Sequence, residues 1–159
     1  SSRRCAHTPI GCPRTSLRRE WWSVGDGPVN LDKALASFAA IWSPRVVARM
    51  NDYDIRIARA KGDHVWHVHE NTDEFFLVLD GRFDIAMRSG DGAEHTVVLR
   101  EGDAFVVPRG VTHRASSPGA SILMFEPTGT SSTGDSHEGD IPDHVDSTVG
   151  HPLGGDPGR

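Results

Sequence analysis

The sequence predicts an all-β fold, a sandwich or a barrel, preceded by one short helix. Three observations carry that reading. Apolar residues are dense from about Leu31 to Phe125 and sparse on either side. Within that span they fall into short runs with the two-residue period of strands. Gly, Asp and Asn turns separate the runs at short intervals, as in sandwiches and barrels. With 159 residues, the chain has enough length for one domain around one core.

The elements follow in order. Residues 1–28 are rich in Ser, Arg, Pro and Gly and are expected to form a disordered or extended arm. Arg3, Arg4, Arg14, Arg18 and Arg19 offer that arm contacts to an acidic partner. No apolar stretch in it reads as a secretory signal. Trp21 and Trp22 are the exception, because adjacent tryptophans rarely stay in water, and they are expected to dock on the β domain or on a neighbouring subunit. Cys5 and Cys12 are the only cysteines, so disulfides do not hold the core, and free thiols in a cytoplasmic setting are the simplest reading. Asn30 or Asp32 is placed to cap a helix over 31–42, where Leu31, Leu35, Phe38 and Trp42 share one face and Pro44 ends the run. Strands are predicted at 46–50, 53–60, 65–69, 74–79, 82–88, 94–100, 104–108, 112–115 and 120–127. The domain is therefore drawn over 29–127. The Gly-, Ser-, Asp- and Pro-rich tail 128–159 is expected to be extended or disordered. His137, His144 and His151 recur there every seven residues, but Gly139, Pro142 and Gly150 interrupt any helix, and the spacing is read as incidental.

The net charge is −5, and fifteen of the seventeen basic residues are arginines scattered along the chain. With no basic stripe, no nucleic-acid partner is expected. No apolar run approaches a membrane span, and no membrane partner is expected.

The chemistry concentrates in residues 62–81. On a strand, His67 and His69 project from the same face, roughly 7 Å apart along the chain. Two imidazoles at that spacing can converge on one ion. A turn at Asn71-Thr72-Asp73 returns the chain so that Glu74 comes up beside them as a third ligand. His64 has the opposite parity and is expected to face away. In residues 102–113, Gly102-Asp103 makes a turn, Pro108 ends a strand and Gly110 permits a reversal. His113 opens the following strand and, pointing inward, supplies a fourth ligand.

These two segments resemble the motifs of the cupin superfamily. The first reads Gly62, four residues, His67-x-His69, four residues, Glu74, six residues, Gly81. The second reads Gly102, five residues, Pro108-x-Gly110, two residues, His113. Two departures are visible: the family commonly has one more residue before its first histidine, and an asparagine where this chain has Ser117. All four ligand positions are filled. The likeness is to small single-domain cupins, loosely called similar to mannose-6-phosphate isomerase. It implies a jelly-roll β-barrel (a double-stranded β-helix), a metal in the barrel and a homodimer.

Three imidazoles and a carboxylate suit one divalent transition ion: Fe, Mn, Ni, Co, Cu or Zn. An ion preferring six ligands keeps two positions open for a small molecule. The expected activity is a metal-dependent enzyme of the oxidoreductase, dioxygenase-like type acting on a small molecule by oxygen-dependent oxidation. A sugar or sugar-phosphate isomerase or epimerase, and a non-catalytic metal-dependent ligand binder or sensor, are the alternatives. No acid–base residue stands out on the inner face, and Tyr53 is the only tyrosine. Phe76 and Val78 share the face of Glu74 and should line the pocket. Arg49 and Arg59 are candidates to hold a substrate carboxylate or phosphate. Phe75, Leu77 and Leu79 make the other face of that strand apolar as well, so a second sheet, the helix or a partner subunit should cover it.

Overall fold

The computed structural model describes residues 27–154. The arm arginines, Trp21, Trp22, Cys5 and Cys12 lie outside the described residues. Among the described residues one helix, α1 (Leu31–Ala36), precedes nine strands: β1 (Arg45–Met50), β2 (Tyr53–Asp63), β3 (His67–Val68), β4 (Glu74–Arg88), β5 (Glu94–Arg100), β6 (Ala104–Val107), β7 (His113–Pro127), β8 (Ser136–His137) and β9 (His151–Pro152).

The helix is half as long as its periodicity suggests, and its two ends explain why. Asn30 accepts a hydrogen bond from the Lys33 amide at 2.9 Å and starts it. At the other end the Arg59 guanidinium donates to the carbonyls of Leu35 (2.6 and 3.1 Å) and Phe38 (3.0 Å). A cation taking the terminal carbonyls both satisfies them and suits the helix dipole. Trp42 lies beyond the helix, in left-handed backbone (φ 49°), with its ring in the core and its indole donating to the Lys61 carbonyl. Arg59 is thus spent on α1 and does not line the interior.

Two long strands organise the sheet. β7 pairs antiparallel with β2 along one edge and with β4 along the other. Asp80-Gly81, expected as a turn, lies inside β4. The stretch 116–119, which contains Pro118-Gly119 and separates two of the predicted strands, is likewise spanned by one continuous β7. The β4–β7 ladder is bulged on either side of Gly81 (φ 80°), which lies against Gly119 (φ 154°), so both strands bend there, and a Cβ on Gly81 would collide with the Gly119 carbonyl. Beyond the bend β4 changes partner, from β6 at Glu74–Leu77 to β5 at Arg82–Arg88.

The sheet does not close into a barrel, which corrects the jelly-roll β-barrel expectation. Its hydrogen-bonded path runs β5-β4-β7-β2-β1-β9, with β3, β6 and β8 attached beside it, and the edge strands β5 and β9 do not pair. The reason lies in β4 and β7: by bending, each serves both halves of one curved sheet, so curvature encloses the interior without a closing ladder. The enclosed face carries the main core, including Phe76, Val78, Phe83, Ile85 and Ile122. The outer face carries a second cluster in which Val47 and Ile57 pack against Ala34 and Leu35 of α1.

The C-terminal residues return across this sheet. β8 pairs with β3 and β9 pairs in parallel with β1, and between them Val145 enters the main core. No described helix is long and apolar enough to cross a membrane.

Candidate metal centre

His67, His69, Glu74 and His113 come together in a single buried cluster, the only such group of three or more ligand-type side chains among the described residues, with their ligand atoms all within 4.8 Å of one another. β3 carries His67, and His69 follows it. Glu74 is the first residue of β4 and His113 the first of β7, directly opposite His67 in the ladder. The reversal at Gly110 (φ 76°) ties the two motifs together, since its amide donates to the His69 carbonyl at 2.8 Å. The Arg109 amide donates to Asp73 at 3.0 Å.

One carboxylate oxygen, Glu74 Oε2, lies 2.8 Å from His113 Nε2, 3.4 Å from His69 Nε2 and 4.0 Å from His67 Nε2. The opposite ring nitrogens of His67 and His113 point at the Val65 and Val111 carbonyls, at 2.8 and 3.0 Å. Backbone acceptors on Nδ1 leave Nε2 facing inward, the arrangement that orients a ligating imidazole. The Nε2 atoms of His67 and His69 are buried without any hydrogen-bond partner. An orphaned buried nitrogen costs about 1–3 kcal/mol. A divalent ion between these nitrogens and the carboxylate would satisfy all of them, so the residues fit a metal.

The electrostatics agree. Burial lowers His67 to about 3, assisted by the neighbouring His113, so its ring stays neutral. Burial would raise Glu74, yet the hydrogen bond from His113 and the nearby imidazoles of His113 and His69 hold it well below the usual carboxylate range. Burial pulls His113 down, but the bond to Glu74 and its charge win, and His113 is raised.

The structure also brings in residues the sequence did not point to. His64, expected to face away, is buried and lines the same cavity as His67 and Glu74; burial lowers it to about 4. Glu126 lines that cavity too. The arginine inside is Arg56, wholly buried, with Glu126 at 2.5 Å and Asp54 at 3.3 Å, while Arg49 is exposed and pairs with Asp54. Arg56 draws Glu126 toward its charged form, but burial and the charge of Glu74 outweigh it, and Glu126 is raised well above the usual range. Strand parity hides these residues. In β2 the alternation Ile55-Arg56-Ile57-Ala58 reads as an apolar core face and a polar solvent face. Here Ile57 lies in the cluster under α1 and Arg56 faces the interior, so both are buried.

A curved β-sheet that gathers three buried imidazoles and one carboxylate around a point defines a protein with a single divalent-metal site. The Cupin domain family model matches residues 55–133. A cupin-2 domain containing protein from Shewanella frigidimarina is 36% identical, with 62% of this chain and 93% of that chain covered and a TM-score of 0.58. Protein NMB1881 from Neisseria meningitidis is 29% identical over 64% of this chain and 99% of that chain, with a TM-score of 0.53. Among curated proteins, the uncharacterized protein YdbB of Bacillus subtilis is 34% identical over 71 residues, and the match spans 45% of this chain and 59% of that protein. The chain belongs to the cupin superfamily.

Proposed function

We propose that this cupin is a metal-dependent enzyme acting on a small molecule, with His67, His69, Glu74 and His113 as ligands of one transition ion and oxygen-dependent oxidation as its reaction class. The observation that carries the reading is the pair of partnerless, inward-facing Nε2 atoms on His67 and His69 beside the Glu74 carboxylate. When bound, the ion would supply Lewis acidity and, for a redox metal, electrons. The chain's own contribution is to fix the imidazoles through Val65 and Val111, to exclude water, and to wall the adjoining cavity with Trp42, Phe76, Phe83 and Ile122. No cysteine stands among the ligands, which favours the borderline metals over a closed thiolate zinc site.

One observation favours a second reading. Glu126 and His64 line the same cavity and supply the acid–base groups that an isomerase or epimerase would require. The proposed setting is cytoplasmic. We also propose a homodimer, formed through the outer face where Tyr53, Phe75, Val106 and Phe125 line a groove of about 590 Å³.

Metal analysis of protein purified without added metal, followed by oxygen-electrode assays on a panel of small molecules, tests the reading. About one ion per chain with substrate-dependent oxygen uptake is expected. A fully metal-free protein that also refuses Fe, Mn, Co, Ni, Cu and Zn in titration would sink it. Turnover of sugars without oxygen uptake would select the isomerase reading.

A further inference from the structure

The ligand side chains are deeply buried. His67, His69, Glu74 and His113 are each no more than 5% exposed, and the cavity beside them has a volume of only about 30 Å³. That is room for about two waters. That space is too small for an organic substrate, so one could reach the ligands only with movement of the wall.

The C-terminal segment is what covers them. It leaves β7 at Thr128, whose amide donates to the Asp52 carbonyl at 2.8 Å. Ser132 then forms part of the cavity wall beside His67 and Glu74. Gly134 lies flat on the His67 ring: a Cβ there would come within 3.0 Å of the ring carbon and 2.5 Å of the Val68 carbonyl. His137 stands opposite His67 in the β3–β8 ladder. The segment crosses to the far rim, where Asp146 and His151 donate backbone hydrogen bonds to Trp42 and Pro44 at 3.1 and 2.9 Å. Gly150 packs against Arg56.

From Gly134 to Glu138 its attachment is light. At the β3 rim it is held by Asp135 N to Val68 O (2.8 Å), Glu138 N to Trp66 O (2.9 Å) and the Glu70 amide to the Asp135 carboxylate (2.8 Å). An exposed Arg88–Glu138 ion pair adds to them. Exposed ion pairs of this kind contribute little. The deeper anchor, Val145 in the core, sits further along the segment. Ser132 and Thr133 are tied to Asp146, Ser147 and Thr148 beside that anchor, so the stretch from Gly134 to Glu138 is the part that can lift while Val145 stays buried.

We propose that the Gly134–Glu138 stretch is the gate of the metal centre: closed, it admits only water-sized or diatomic ligands, and larger molecules enter only when it lifts from β3. The inference rests on the metal-site reading above, but its test does not depend on a metal being bound.

Val68 and Ser136 face each other across the β3–β8 ladder, with Val68 on the opposite side of the strand from His67 and His69. Cross-strand Cα spacings of about 4.5–5.5 Å accept a disulfide. Val68→Cys/Ser136→Cys, made with Cys5→Ser and Cys12→Ser, gives a reducible lock. Metal-free protein is treated with diethyl pyrocarbonate, and each histidine is followed by peptide mass spectrometry. We expect His67 and His69 to react at least ~10-fold more slowly in the oxidised form, with reductant restoring the rate. Exposed His95 on β5 is the internal control and should not change. Equal rates at His67 and His69 in both forms overturn the gate. A second variant, Asp135→Ala/Glu138→Ala, loosens the same contacts without new cysteines and should speed those two histidines several-fold; an unchanged rate there also counts against the proposal. In metal-loaded protein the oxidised lock should slow removal by EDTA while leaving binding of diatomic cyanide intact. Failure of every form to bind metal would sink the proposed function, while the carbethoxylation rates would still decide the gate.

Discussion

Glu74 Oε2 faces the Nε2 atoms of all three imidazoles, and because Nδ1 of His113 already bonds the Val111 carbonyl, the 2.8 Å contact from its Nε2 to Glu74 needs a proton between them. Metal uptake at neutral pH must therefore expel a proton, and titrations in buffers of differing ionisation enthalpy should report release of about one per ion. His113→Ala removes the ligand that comes from the far strand. It leaves His67, His69 and Glu74, so metal should still bind but at least ~100-fold more weakly, beyond the effect of losing an outer partner; calorimetry showing unchanged affinity would remove His113 from the site. The sign of the pH dependence in metal-free protein follows from each group. His67 and His64, lowered to about 3 and about 4, favour the folded state above 6.5 and lose that contribution as pH falls below it. Glu74, held low, keeps its contribution until pH drops below its ordinary 4.5. His113, raised, contributes most below 6.5 and fades as pH climbs past its raised value. Between 6.5 and 4.5 the loss from His67 and His64 pulls Tm down on acidification, while Glu126, held above its ordinary range, takes up its proton first in the folded chain and pushes Tm up; in Glu126→Gln, where only the histidine loss remains, Tm should fall steadily across that window. A Tm that rises on acidification there in that variant would contradict the assignment.

At the scale of elements, the bulged middle of the β4–β7 ladder decides how the sheet curves. Gly81 needs both its positive φ and its missing Cβ, because the Gly119 carbonyl occupies that space. Gly81→Ala should cost roughly 2–3 kcal/mol in urea unfolding. Gly92→Ala, with φ 83° but open surroundings, should cost only about 1 kcal/mol. Much of the element order was legible in sequence, since every predicted strand lies in or beside an observed one. The metal cluster was legible for a physical reason: strand parity fixes His67 and His69 on one face whatever the rest of the fold does. Other features were not. Asp80-Gly81 has turn chemistry but serves as a bend within β4, which only its pairing with Gly119 reveals. The run 31–42 has helical periodicity to Trp42, but Arg59, far along the chain, takes the carbonyls of Leu35 and Phe38 and ends it. The segment after Pro127 has the composition of a solvated tail, and its hold on β3 and β1 runs largely through backbone groups that every sequence possesses.

For the whole molecule, the edges β5 and β9 stay unpaired, yet the C-terminal segment joins β3 to β1 through β8 and β9. The interior is thus enclosed by the run of the chain where hydrogen bonds do not close it. The ligands have an unequal placement within this plan. Three lie within the eight residues from His67 to Glu74, and the fourth enters only when β7 has zipped against β4 and brought His113 opposite Met87. Contacts so distant in sequence form late, after the cost of closing the intervening loop. The complete site is therefore absent from the early stages of folding. An ion bound to it would act as a brake on unfolding and leave the folding rate nearly untouched. In a chevron analysis, saturating metal should lower the unfolding limb by an order of magnitude or more, while the folding limb of loaded and stripped protein should superimpose.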